Sequence, residues 1–151
     1  MVGPRRYRDV RATAIAAPPD VVWRALLDQV EVLGPARYVR LIGCRDTVAE
    51  GPRPLAVGSA VPGFRVAEAD PPHELVLDGV HRFSVYTLTF RLLPDGAGTR
   101  VEAHTDATFP GALGAIYRLL VIDSRFHKLA TRSIVARIRR RVPVPHDHLG
   151  R

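Results

Sequence analysis

Residues 84–109 read SVYTLTFRLLPDGAGTRVEAHTDATF, and this stretch decides the fold. Apolar and polar side chains alternate from Ser84 to Leu93 and again from Thr99 to Phe109. Between these two segments, residues 94–98 read PDGAG, which is rich in turn-forming residues. Alternation with a period of two is typical of half-buried strands, so the stretch predicts a long antiparallel hairpin.

One face of this hairpin is predicted to form a concave interior, because side chains on a strand alternate between the two faces of a sheet. The inward set comprises Tyr86, Leu88, Phe90, Leu92, Val101, Ala103, Thr105, Ala107 and Phe109. A polar set faces the other way and comprises Thr87, Thr89, Arg91, Glu102, His104 and Asp106. A histidine beside two carboxylates could suggest catalysis or a metal, but we interpret the polar set as a solvated cross-strand network.

The chain before the hairpin predicts four more strands, at Tyr7–Ala16, Tyr38–Cys44, Phe64–Ala69 and Glu74–Val80. The first of them places Val10, Ala12 and Ala14 on one side and Arg11, Thr13 and Ile15 on the other. Between the first two strands, apolar residues recur at helical spacing and predict a short amphipathic helix from Asp20 to the break at Gly34-Pro35. Trp23 on this helix is assigned to the core.

The last third of the chain predicts a long amphipathic helix from about Ala112 to Arg141. Its apolar face needs an apolar partner, and the antiparallel strands before it are the obvious one, so the predicted fold class is α+β. At 151 residues the chain has the size of one domain, predicted over residues 1–141, and residues 142–151 are predicted to be a flexible tail.

The net charge of +7 raises the question of nucleic acid, and its distribution argues against that partner. Of 22 basic residues only Lys128 is a lysine, and the arginines are scattered along the chain. The one cluster, Arg137 with Arg139–Arg141, lies at the end of the predicted helix, where cations complement the helix dipole. We therefore expect no nucleic-acid partner.

Location and cofactors are constrained by what the sequence lacks. No apolar run approaches the roughly 20 residues that cross a bilayer, and Met1–Val10 has no apolar signal core, so we expect a cytoplasmic protein without membrane insertion. Cys44 is the only cysteine, which excludes an internal disulfide and a thiolate metal cluster. His146 and His148 have no third ligand nearby in sequence, and there is no nucleotide-binding motif, so neither metal nor cofactor is expected.

Four local features, taken in order, resemble the START-like or SRPBCC superfamily of polyketide cyclases, lipid-transfer domains and related helix-grip proteins. They are AAPPDVVW at 16–23, EADPPHEL at 68–75, the long strand Tyr86–Leu93, and Phe109-Pro110-Gly111 leading into the last helix. The resemblance spans roughly residues 7–140. It implies a curved antiparallel sheet wrapped around a long C-terminal helix, with a hydrophobic cavity between them for lipids, steroids, aromatic polyketides or hormones. It implies no single activity, because fold does not fix function.

Two polar residues fall on the predicted buried face of the long helix. Asp123 and His127 are four residues apart, so the carboxylate can hold one ring nitrogen while the other faces the cavity. Such a pair could act as general base or acid on an enolising carbonyl substrate. The alternative is a structural pair or a polar contact to a ligand.

A second set of candidates would bind the ligand. Arg82 and Ser84 precede Tyr86 on the inward face of one strand, and Thr105 faces inward on the next, which would supply a few donors in an apolar pocket. An inward Arg82 would suit a carboxylate or phenolate, whereas at the strand mouth it would simply reach water. The predicted lining is completed by Leu88, Phe109, Tyr117 and Leu120, although an aromatic residue at helical spacing, such as Tyr117, is more often part of the core.

The sequence leaves three functions open. The first is a binding protein for a hydrophobic, lipid-like or aromatic small molecule. The second is a polyketide cyclase, aromatase or dehydratase. In it Asp123 and His127 would form the catalytic pair, and Arg82 or Tyr86 would polarise a carbonyl. The third is an interaction module that uses the basic end of the last helix. Oligomeric state is also left open, and a homodimer is one arrangement that the sequence allows.

Overall fold

The computed structural model describes residues 5–33, 40–41, 43–82, 84–109 and 126–143. Six strands form one antiparallel sheet in the order β1-β6-β5-β4-β3-β2. The strands are β1 (Arg5–Ile15), β2 (Ala60–Val61), β3 (Phe64–Asp70), β4 (Glu74–His81), β5 (Ser84–Asp95) and β6 (Gly98–Phe109). The helices are α1 (Pro19–Glu31) and α2 (Phe126–Arg141). The curved sheet with its packed helices has the predicted α+β class and the helix-grip arrangement.

The predicted hairpin is confirmed by β5 and β6, whose backbones pair from Val85–Thr108 to Asp95–Gly98. Thr87 pairs with Asp106, Thr89 with His104 and Arg91 with Glu102, so the polar set shares one face. The inward positions of both strands alternate with it and are mostly buried. The turn between the strands uses Gly96 at a φ of 57°, a conformation that a residue with a side chain adopts at a cost.

The main core lies between the concave face of the sheet and the two helices. From α1 it takes the predicted apolar residues, all buried: Val22, Trp23, Leu26, Leu27 and Val30. From α2 it takes Val135 and Ile138, and this helix packs against α1, β1 and β6. At the end of α2, Arg141 Nε donates a hydrogen bond to Oε1 of the buried Gln29, 3.0 Å away, which ties the two helices together. The last helix therefore lies on the sheet, as predicted.

The strand predicted at Tyr38–Cys44 is wrong over its described residues. Arg40 and Leu41 are helical, and Gly43 takes a φ of 71°, which turns the chain away from an extended path. Leu41 is 84% exposed, so the apolar pattern does not mark a buried face here. A strand needs a neighbour for its backbone groups, and the backbone hydrogen bond from Arg45 N to the Val80 carbonyl oxygen, at 2.7 Å, comes only after this turn.

Two predicted boundaries lie at or beyond the edges of the described ranges. The predicted last helix began at about Ala112, and residues 110–125 lie outside the described part of the chain. Val142, the first residue of the predicted tail, packs against the main core, and residues 144–151 lie outside the described part as well. Of the helices in the described ranges, none has both the length and the apolar character needed to cross a bilayer.

Candidate functional site

The inward face of the sheet carries two apolar clusters. The main core occupies one end, beneath α1 and α2. At the other end, Ala107 and Phe109 of β6 are buried against the half-buried rings of Tyr7 and Tyr86. These four residues, here called the end cluster, come from β1, β5 and β6. They meet the main core through Phe64, whose ring contacts Tyr86 and also packs against the core. The inner face thus has an aromatic-rich region of its own.

Tyr86 anchors the end cluster to the rest of the sheet. Its hydroxyl donates a hydrogen bond to the carbonyl oxygen of Gly63 at 2.8 Å and lies 3.9 Å from Sγ of Cys44. Its ring meets Phe64 edge to face, with 5.1 Å between the ring centroids. Because the hydroxyl proton is used within the chain, the geometry favours Tyr86 as a wall of the site over a donor to a substrate carbonyl.

Two titratable groups next to Tyr86 are affected by burial. His81 is half-buried with its ring 5.3 Å from that of Tyr86, and loss of solvent lowers the pKa of His81 below its ordinary value of 6.5. Burial raises the pKa of the Cys44 thiol above 9.0, although the contact with Tyr86 opposes this. Burial therefore favours the neutral form of both groups.

An ion pair lies between the two clusters, on the inward face of β1. Arg11 Nε is 2.9 Å from Oδ2 of Asp9, and both side chains are largely buried. Asp9 pairs directly with Thr105 of β6, so the acid and the Thr105 hydroxyl share this face. Sequence reasoning missed Asp9 and Arg11, because the apolar residues of β1 next to them, Val10 and Ala12, are exposed. Ile15 could have indicated their direction. It is the largest aliphatic residue of the strand, it is buried, and it lies on the same face as Asp9 and Arg11 because all three occupy alternate positions.

The remaining predicted ligand-binding residues divide by strand position. Ser84, Leu88, Thr105 and Phe109 all face inward and are buried. Arg82 instead lies in the turn between β4 and β5 with an exposed side chain. Its guanidinium therefore reaches water at the strand mouth, the second of the two alternatives that the sequence left open.

Several predicted residues fall where the structure does not place side chains. Asp123, Tyr117 and Leu120 lie outside the described residues. His127 belongs to the first turn of α2, and only its backbone is described. The Asp123–His127 pair therefore stays a prediction.

The outer face of the sheet holds charged groups that satisfy one another. Asp106 receives hydrogen bonds from Arg6 at 2.6 Å and from Arg8 at 3.1 Å, and these partners, Arg6 above all, lower the pKa of Asp106. Glu102 is bonded to His104 at 2.8 Å and to Arg100 at 3.0 Å, which lowers the pKa of Glu102. Within the described ranges, no three side chains of His, Cys, Asp or Glu converge as a metal site would require. The network interpretation agrees with this geometry.

Solved structures with this fold are found at low sequence identity. The Mll3558 protein from Rhizobium loti is 16% identical with a TM-score of 0.60, over 93% of this chain and 99% of that one. The di-domain ARO/CYC BexL from the BE-7585A biosynthetic pathway is 14% identical with a TM-score of 0.61, over 93% of this chain and 51% of that one. CalU16 from Micromonospora echinospora is 22% identical with a TM-score of 0.52, over 95% of this chain and 88% of that one. These likenesses show the fold.

Family membership is shown by the sequence itself. A comparison with curated proteins finds none that matches this chain. The profile of the family described as polyketide cyclase / dehydrase and lipid transport matches residues 8–142, from β1 to the end of α2. That match covers most of the chain and includes the end cluster apart from Tyr7. The chain therefore belongs to the polyketide cyclase / dehydrase and lipid transport family.

Proposed function

We propose that the chain binds a hydrophobic small molecule, lipid-like or aromatic, in a cavity between the inner face of the sheet and the C-terminal helix. The observation that carries this proposal is the end cluster, a set of aromatic and small residues on the concave face that lies beside the main core and meets it through Phe64. The remaining wall of the cavity would come from the segment before α2, which includes Tyr117 and Leu120.

The end cluster has the composition of a ligand site. Pockets for small molecules are concave, lined mainly by apolar and aromatic side chains, and supplied with a few polar groups that set orientation. Tyr7 and Tyr86 stay half-buried although they sit on the inward face, whereas Phe90, at the same parity in the main core, is fully buried. A partly covered aromatic surface on a concave face supports a bound apolar molecule as its complement.

The test places a large side chain inside the end cluster and, as a control, the same side chain on the outer face of the sheet. Ala107 faces inward between Tyr7 and Tyr86, and its neighbour Thr108 faces outward on the same strand. Ala107→Phe should weaken binding of 2-naphthol, measured by isothermal titration calorimetry, by about tenfold or more, because the added ring takes the space of the ligand. Thr108→Phe should bind like the wild type.

Folding of both variants is checked by circular dichroism and thermal unfolding, since overpacking costs about 1–3 kcal/mol. Absence of binding by the wild-type protein contradicts the proposal. So does equal binding by wild type and both variants, because the ligand would then sit elsewhere.

The second candidate is an enzyme, favoured by the match to a family whose description includes cyclases and dehydrases. Asp123 would fix the tautomer of His127, and His127 would move a proton to or from the carbon next to a ketone. To separate the two functions, an aromatic polyketide with β-ketone groups is incubated with the wild type and with His127→Ala. Affinity and turnover are measured for both proteins. Retained affinity with lost turnover supports the enzyme, and turnover by neither protein supports a carrier.

Two further predictions from the sequence remain. Location in the cytoplasm is one of them. The other is an interaction module at the basic end of α2, where Arg137, Arg139 and Arg140 are exposed and Arg141 is engaged with Gln29. Partner binding that weakens steeply with added salt would be its signature.

A further inference from the structure

Between the two apolar clusters, the inner face of the sheet carries a charge pair that the sequence pattern does not explain. The side chains of Asp9 and Arg11 are 15% and 23% exposed, and Arg11 Nε lies 2.9 Å from Asp9 Oδ2. Removing charges from water is costly, and a pair in such a place must be held by geometry and further hydrogen bonds. A cleft of about 740 Å³ between β1 and α2 reaches Arg11, so the pair is not sealed inside the core.

A buried hydroxyl lies directly across from Asp9. Thr105 is 6% exposed, and its Oγ1 has no hydrogen-bond partner among the described residues. Directly opposed residues on paired strands have Cβ atoms about 4.5–5.5 Å apart, so Thr105 and Asp9 are side-by-side neighbours on the inner face. A buried hydroxyl without a hydrogen-bond partner destabilises the fold, and an oxygen of a ligand would supply the missing partner.

The charge of this group of residues selects the ligand. Asp9 neutralises Arg11, so the three side chains carry no net charge, although the whole chain has a net charge of +7. A carboxylate brought here would compete with Asp9 for Arg11 and leave one negative charge unpaired. A neutral hydroxyl or carbonyl oxygen has no such penalty, because Arg11 has N–H donors besides the one that it gives to Asp9, Thr105 can donate or accept, and Asp9 can accept.

We infer that Asp9, Arg11 and Thr105 form a polar subsite that recognises a single neutral oxygen, hydroxyl or carbonyl, on an otherwise apolar ligand. The inference rests on the proposed function, since the apolar part of the ligand would lie against the end cluster. It assigns specificity to β1 and β6, and it predicts discrimination against acids.

Three probes of one shape test this, namely naphthalene, 2-naphthol and 2-naphthoate, with binding measured at pH 7 by calorimetry or by competition. The wild type should bind 2-naphthol about fivefold more tightly than naphthalene, as one net hydrogen bond allows, and about tenfold more tightly than 2-naphthoate. Thr105→Val should remove the preference for 2-naphthol over naphthalene. Thr105→Ser should keep it.

Asp9→Asn provides the opposite test, because it frees the Arg11 guanidinium without changing the shape of the site. Affinity for 2-naphthoate should rise about tenfold in this variant. The matched control is Asp106→Asn. Asp106 lies on β6 like Thr105, but it faces outward, and its carboxylate pairs with Arg6 and Arg8 of β1. This control should leave the order of the three affinities as in the wild type.

Each outcome decides between the claims. A wild-type protein that binds none of the probes contradicts the proposed function, and the subsite with it. A wild type that binds all three equally, or a 2-naphthoate gain as large in Asp106→Asn as in Asp9→Asn, overturns the subsite and leaves the proposed function standing. If circular dichroism shows Thr105→Val to be unfolded, Thr105→Ser and Asp9→Asn decide the matter.

Discussion

The aromatic ring of Tyr86 occupies the space that a side chain at Gly79 would need. The two residues are direct neighbours on β5 and β4, and a Cβ built on Gly79 would overlap the ring carbons of Tyr86. The tyrosine lies across the bare backbone of β4 and reaches Gly63, just before β3, with its hydroxyl. This packing of an aromatic ring over a glycine on the neighbouring strand fixes where the end cluster begins.

Gly79→Ala should therefore destabilise the protein by about 1–3 kcal/mol, because the methyl group forces the ring of Tyr86 to move. Urea unfolding followed by circular dichroism gives the free energy of unfolding for wild type and variant. The control repeats the substitution in a Tyr86→Ala background, where the methyl group has room. Equal losses in the two backgrounds would show that Tyr86 is not the obstacle.

Tyr86→Phe isolates the hydroxyl from the ring. It removes the hydrogen bond to the Gly63 carbonyl oxygen and keeps the edge-to-face contact with Phe64, so the loss should be about 1 kcal/mol. Tyr86→Ala loses the ring as well and should cost more, about 3–5 kcal/mol as for large aromatic truncations. Unfolding midpoints that coincide for these two variants would contradict the role given to the ring.

The pH dependence of stability should show the burial of His81. Because burial lowers the pKa of His81 below 6.5, the unfolded chain binds a proton more readily than the folded one. The neutral histidine thus contributes stability above pH 6.5 that is lost as the pH falls through the folded-state pKa. His81→Asn should remove this part of the acid-side loss. The free energy of unfolding is measured for both proteins between about pH 7.5 and 5, a range that spans the ordinary titration of histidine. Parallel curves would contradict the account.

Cys44 should react slowly while the protein is folded. Burial raises the pKa of its thiol, and the thiolate is the nucleophile, so alkylation by iodoacetamide at neutral pH should be slower than for a free cysteine peptide. Mass spectrometry follows the reaction over time, with urea-unfolded protein as the control. A folded protein that reacts as fast as the unfolded one would contradict the buried position of Cys44.

The hairpin and its faces could be predicted from sequence because both signals are local. The chain reverses at Gly96 and Ala97, inside the turn-rich residues 94–98, and the alternation on either side then fixes which residues face inward. Tyr38–Cys44 has a similar apolar content, but its described residues Arg40 and Leu41 are helical and pair with no described strand, and the backbone at Gly43 turns the chain. Local pattern was sufficient only where a neighbouring strand agreed with it.

The candidate site was predicted only in part, for a physical reason. Thr105 and Phe109 follow from the alternation of β6, whereas the inward pair Asp9 and Arg11 defies the rule that apolar residues face the core. Their direction is set by the register with β6, which pairs Asp9 with Thr105. Register depends on distant residues and cannot be obtained from the composition of β1 alone.

The central claim is that an apolar ligand lies on the inner face of the sheet at the end cluster. A titration of ¹⁵N-labelled protein with 2-naphthol, followed by amide chemical shifts, tests it most directly. The account predicts saturable shifts concentrated at Tyr7, Tyr86, Ala107 and Phe109 and weak ones at outward positions such as Thr87 and Thr108. Shifts confined to the outward positions, or no saturable shifts at all, would contradict it.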